Sequence, residues 1–398
     1  MINMFLEKVM TRLDEFAGKP KVLAIAAFLS IGIVFLQAWF SLLTIDRTKD
    51  SYSYYYAAKA IGLGLDPYDV EELRHIGRMD GMYDGIGPYV YPPPFAGFWR
   101  CLTWMSASDV HSVLILLGTI LFGLGLWILS KTVKPPRHPF ALLFLFLLYQ
   151  VLNGPAVTSL RMGQITPLIT VLILACLYAH LRNRENLSTL FLAIAIIIKI
   201  APAVLLIYFF LFYPRRWQYL AKVGIWLLLL VLATLPLASP AAWQDYFQSS
   251  SSGLPLKAPY SVWGWLQLHT LPVLILENNK PLIYLLICLP LTILTVLGIK
   301  NQRPTEQAPY AFSMLAMLSL VIAPLTWHQH FYIWLLPGFY FTAYHWGRQN
   351  YGRACIWAFL IFIVMTRVPE PFLMLRPAGT LFAMLLELRL TPPRIEVA

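Results

Sequence analysis

The chain has 398 residues, of which 59% are apolar and 12% charged. A soluble globular protein is about 25% charged, so no soluble domain could bury this much apolar surface. The net charge of +11 does not point to nucleic acid. No basic stripe with interleaved aromatics lies outside the apolar segments, and excess Lys and Arg is what the cytoplasmic loops of membrane proteins carry.

Residues 1–21 carry both signs of charge, with Phe5, Val9, Leu13 and Phe16 at helical spacing. They are expected to form a cytoplasmic amphipathic helix on the inner membrane surface. The apolar run 22–44 is too long for a signal peptide and lacks a clear cleavage site, so a retained span is expected. Similar runs follow near 110–130, 139–152, 164–180, 187–199, 201–213, 222–238, 281–299, 309–324, 331–346, 354–368 and 373–390, giving about twelve spans. The runs are continuous rather than alternating, which excludes a barrel. The expected fold class is therefore all-α: a polytopic transmembrane helical protein, with residues 22–398 as one membrane domain. Several runs are short enough to be half-helices shielded by protein or a wet cavity.

Short loops set the orientation. Lys131, Lys134 and Arg137 share one loop, Arg182 and Arg184 the next, and Arg215, Arg216 and Lys222 the one after. Lys300 with Arg303, Arg348 with Arg353, and Arg389 with Arg394 complete the set. Placing all of them inside puts both termini in the cytoplasm, and 44–109 and 239–280 become large outer connections. The second contains Trp243, Trp263, Trp265 and the run Ser249 to Gly253, expected as a mobile loop. The cysteines Cys101, Cys176, Cys288 and Cys355 are scattered without metal or disulfide spacing.

Five clusters carry chemistry, and this topology puts all of them on the outer side. Asp50 follows the first span and opens the run Ser51-Tyr52-Ser53-Tyr54-Tyr55-Tyr56. A carboxylate there can take a proton from an attacking hydroxyl; Asp46 is the rival, and both also read as solvated charges balancing Arg47 and Lys49. Tyr89-Val90-Tyr91-Pro92-Pro93-Pro94 reads as a rigid extended stretch, with rings that suit an interfacial belt or a sugar face. Arg161-Met162-Gly163-Gln164 offers an anion partner or an ordinary interfacial arginine. Lys199, followed by Ile200-Ala201-Pro202, interrupts an apolar stretch. A cation at that depth is costly, so it either binds phosphate or snorkels to the headgroups. Trp327-His328-Gln329-His330 adds imidazoles that donate to phosphate or move a proton. No cluster of carboxylates implies a metal.

The ordered set resembles glycosyltransferase family 87 of the GT-C superfamily. It runs from Asp50 with Tyr54, Tyr55, Ala57 and Ala58 through Gly64 and Pro67-Tyr68 to Tyr91-Pro92-Pro93-Pro94. Gly163-Gln164, Lys199 with Pro202, and Pro324 with Trp327 and His330 follow. The resemblance covers roughly 22–345. It implies an inverting transferase using a polyprenyl monophosphate sugar, such as mannose or a pentose, and a lipid or glycan acceptor. The enzyme would work on the outer face of a bacterial inner membrane, with no cofactor and no nucleic-acid partner. Asp50 and His330 are the implied catalytic residues. Lys199, Arg161, Gln164, Tyr54, Tyr55, Tyr91, Trp327 and His328 are the candidate substrate contacts. The sequence departs from the family in having Gln329 between His328 and His330, and Met162 where Asn is common before Gly163. Both histidines therefore stay open for the role. A transporter or flippase of lipid-linked sugar is the alternative; paired repeats and midplane ionisable groups would mark it.

Overall fold

The computed structural model describes residues 2–40, 49–82, 86–133, 138–151, 154–238, 240–252, 273–323, 328–365 and 375–390. Among these residues there are helices and no strands. The helix α1 (Ile2–Ala17) precedes α2 (Pro20–Trp39), whose Pro20 has no amide hydrogen to leave unpaired at a helix start. Phe5, Val9 and Phe16 stay exposed, while Leu13 packs inward. Leu13 lies eight positions from Phe5, about 80° further round the helix. Asp14 Oδ1 of α1 accepts from the amides of Phe140 and Ala141 at 3.0 and 3.1 Å. It thereby caps the start of α7.

Between the first two spans lie α3 (Asp50–Leu63), α4 (Val70–Met79) and α5 (Pro93–Trp99). The proline run was expected to be extended, and only Pro92 is (φ −56°, ψ 149°). Pro93 and Pro94 instead start α5, because the first turn of a helix needs no amide donors. Then come α6 (Ala107–Thr132), α7 (Pro139–Val151), α8 (Gly154–Arg161), α9 (Thr166–Leu181) and α10 (Glu185–Ile198). A 3₁₀ turn, Ala201–Leu205, leads into α11 (Leu206–Phe212), followed by α12 (Arg216–Thr234) and α13 (Pro240–Ser252). Ser249 to Ser252, expected in a mobile loop, instead close α13; Ser has moderate helix propensity and Pro240 supplies the start. Last are α14 (Val273–Lys300), α15 (Pro304–Ile322), the 3₁₀ segment His328–Trp334, α16 (Leu335–Gly347), α17 (Tyr351–Met365) and α18 (Leu375–Leu390).

Every expected span overlaps a helix, but among the described residues only α2, α6 and α12 are both long and apolar enough to cross a bilayer unbroken. A fourth is α8 with α9, bent by 120° at Met162–Ile165. Association in lipid rests on close packing, and α2 shows it: Ala26, Ser30, Val34 and Ala38, four apart, form its buried stripe. Ser30 Oγ donates to Leu147 O of α7 at 3.0 Å. The centre is α15, buried continuously from Ala308 to Val321. It packs against α9, α14, α16, α18 and the 3₁₀ turn Ala201–Leu205. Buried Glu387 of α18 accepts from Trp357 Nε1 at 2.8 Å and lies 2.7 Å from His345 Nε2, joining α16, α17 and α18.

Candidate active site

The site forms where chain breaks meet: the start of α3, the bend between α8 and α9, the break after α10 and the segment after α15. Asp50 is the first residue of α3, and a helix N-terminus favours a negative charge. Its neighbour Ser51 donates its amide to Met162 O at 3.2 Å, bringing the α8–α9 bend against α3. Gly163 turns that bend with φ +63°, which costs glycine nothing.

Gln164 follows and donates from Nε2 to Asp50 Oδ2. An ionised carboxylate only accepts, so it takes the amide's NH₂ end. The carbonyl end accepts the hydroxyls of Tyr54 at 3.2 Å and Tyr91 at 3.3 Å, which are 3.0 Å from each other. Thr166 Oγ1 donates to the same oxygen at 3.4 Å. Burial raises the pKa of both phenols, and the charge of Asp50 adds to this, so they stay protonated donors. Tyr91 is itself held by Tyr68, whose hydroxyl donates to Tyr91 O at 2.8 Å, and by edge contact with Tyr54 at 5.0 Å between centroids.

Lys199 caps α10 in extended conformation (φ −150°, ψ 127°), and Pro202 then starts the 3₁₀ turn. Its Nζ lies 2.9 Å from His330 Nε2 and 5.7 Å from the Tyr91 ring centre. An ammonium carries only donors, so a charged Lys199 makes His330 Nε2 the acceptor and leaves the proton on Nδ1. Beside the pair opens a small, mostly apolar hollow lined by Ile169, Ile173, Pro202, Leu205, Leu320 and Ile333 among others.

The structure thus gathers Asp50, Gln164, Tyr54, Tyr91, Lys199 and His330. Arg161 closes α8, half-buried, and α8 packs on the 3₁₀ segment that carries His330. Tyr55 is turned away; its hydroxyl donates to Met105 O at 2.7 Å and ties α3 to the start of α6. Trp327 and the side chain of His328 lie outside the described residues. Ser51, Thr166 and His111 join the site without being among the candidates expected from sequence. His111 had a signal, being an ionisable residue within an apolar span.

A carboxylate and a lysine–histidine pair around one tyrosine, framed by breaks between apolar helices, define a polytopic membrane protein with a polar site at its helix ends. The glycosyltransferase family 87 pattern matches residues 89–327, more than half of the chain. The chain belongs to that family. It is 25% identical over 304 residues to a polyprenol-phosphate-mannose-dependent alpha-(1-2)-phosphatidylinositol mannoside mannosyltransferase of Mycolicibacterium smegmatis. It is 23% identical over 291 residues to the protein of that name from Mycobacterium tuberculosis. Each match covers 68% of this chain but only 64% and 65% of the relatives' own length. Tyr91, Arg161, Gln164, Lys199 and Trp327 fall within the family match, whereas Asp50 lies well before it and His330 just after it.

Proposed function

We propose that the protein transfers a sugar from a polyprenyl monophosphate donor to a lipid or glycan acceptor on the outer face of the membrane. Asp50 takes the proton of the acceptor hydroxyl while that oxygen attacks the anomeric carbon. The bond from that carbon to the donor phosphate breaks, and its electron pair leaves with the polyprenyl phosphate. A single displacement with one base and no covalent intermediate inverts the anomeric centre. Lys199 and Arg161 offset the charge of the departing phosphate, and His330, held by Lys199, orients it. The names of the two relatives support the donor class and favour mannose. The loop charges support twelve spans with both termini inside and the site outside.

The observation that carries this reading is the bridge through Tyr91. Its hydroxyl reaches the amide that holds Asp50, and Lys199 stands over its ring, so a proton acceptor and a phosphate partner flank one space. The test uses purified protein in lipid vesicles with polyprenyl phosphate mannose and membrane lipid acceptors. Sugar-bearing lipid of inverted anomeric configuration is the expected product. Movement of intact donor across the bilayer without transfer would replace this reading with the flippase one.

A further inference from the structure

We propose that His111 is a positioning residue that acts through Ser51 to hold Asp50 against Gln164; this rests on the reading of Asp50 as the base. His111 lies in the second turn of α6 and is 1% exposed. Its Nδ1 is 2.8 Å from Ser51 Oγ, and the Tyr52 ring meets the imidazole edge-on at 5.9 Å. Nε2 is buried with no hydrogen-bond partner among the described residues. A lone pair left unmatched is better tolerated than an orphaned N–H, so the proton sits on Nδ1 and is donated to Ser51.

Ser51 is held twice, by its side chain to α6 and by its amide to Met162 O of the α8–α9 bend at 3.2 Å. Gly163 closes the junction. A Cβ there would stand 2.7 Å from Ser51 Cβ and 2.8 Å from His111 Nδ1. Three elements therefore meet with no slack, one residue from each partner of the Asp50–Gln164 hydrogen bond. The junction fixes the residues next to Asp50 and Gln164, Ser51 on one side and Gly163 on the other. A core histidine that merely found the nearest hydroxyl would contribute to folding and leave turnover per folded molecule unchanged. The coincidence with the neighbours of Asp50 and Gln164 argues for more. A displacement of about 1 Å in a reacting group lowers rate by as much as 100-fold.

The experiment measures kcat, donor KM and melting temperature in purified variants. His111→Leu keeps bulk and loses the donor; kcat should fall roughly 10- to 100-fold with donor KM little changed. His111→Asn places an amide donor where Nδ1 stood and should recover most of the rate. Ser51→Ala removes one oxygen, and it should lose as much as His111→Leu. The double variant should lose no more than either, because both remove one interaction. In an Asp50→Asn background, His111→Leu should cause no further loss. Full kcat in folded His111→Leu or Ser51→Ala, beside an inactive Asp50→Asn, overturns the positioning role. Multiplying losses in the double variant overturn it as well. Full activity of Asp50→Asn would instead remove the base, a separate failure.

Discussion

Lys199 Nζ and His330 Nε2 stand 2.9 Å apart although 131 positions separate them in the chain. Two charged groups of like sign would repel at that distance. A neutral imidazole accepting from the ammonium keeps one positive charge and leaves two ammonium hydrogens for another partner. The pair forms where the helix after Glu185 breaks at Lys199 and the segment after α15 returns, so neither element supplies it alone.

This arrangement makes Lys199→Met informative. Methionine keeps the bulk and removes both the charge and the donor to His330. Donor use should weaken by about 1.5–3 kcal/mol, the usual contribution of a hydrogen bond to a charged group. Donor KM measured on folded protein checks this. Unchanged donor kinetics would take Lys199 out of the phosphate site.

Gly163 and Gly64 both have positive φ, +63° and +74°, but they differ in surroundings. A Cβ at Gly64 meets nothing within 4 Å, whereas at Gly163 it meets Ser51 and His111 inside 3 Å. Gly64→Ala should therefore cost only the left-handed backbone, about 1–2 kcal/mol. Gly163→Ala adds overpacking and should cost about 2–5 kcal/mol in all. Thermal melts of the two variants in detergent provide the comparison. Equal shifts would mean that the Gly163 junction yields easily.

Much of this was legible in the sequence for a simple physical reason. Apolar runs in a membrane must be helices, so α2, α6, α9, α10, α12 and α15 follow from composition and length. Lys199 and Asp50 stood out as charges beside such runs. What the sequence hid depends on tertiary partners. Tyr54 and Tyr55 are adjacent and alike in chemistry, yet one reaches Gln164 and the other Met105, because neighbours on a helix lie about 100° apart. Ser51 looked like one more polar residue until α6 brought His111 to it. The proline run misled because proline suits both an extended stretch and a helix start.

The topology is tested independently of the chemistry. The proposed orientation, argued from the loop charges, has 44–109 outside and both termini inside. A variant with Cys101, Cys176, Cys288 and Cys355 replaced, and one cysteine added at position 84, should react with an impermeant thiol reagent in intact cells. Labelling only after lysis would place the proposed site on the inner face.

Asp50, rather than Asp46, is expected to be the base. Asp46 lies outside the described residues, so the preference rests on what surrounds Asp50. That carboxylate begins α3, takes a hydrogen bond from Gln164, and shares Gln164 with Tyr54 and Tyr91. Asp50→Asn keeps the shape but cannot accept a proton at neutral pH, and its NH₂ group can turn away from that of Gln164. General-base assistance contributes about 10²–10⁴-fold. Transfer by Asp50→Asn should drop by that order while donor binding persists. Asp46→Asn should keep most of its activity. Parallel assays of initial rate and donor affinity separate loss of chemistry from loss of binding. The reverse pattern would move the base to Asp46. Two active variants would leave the transfer without a carboxylate base from this segment.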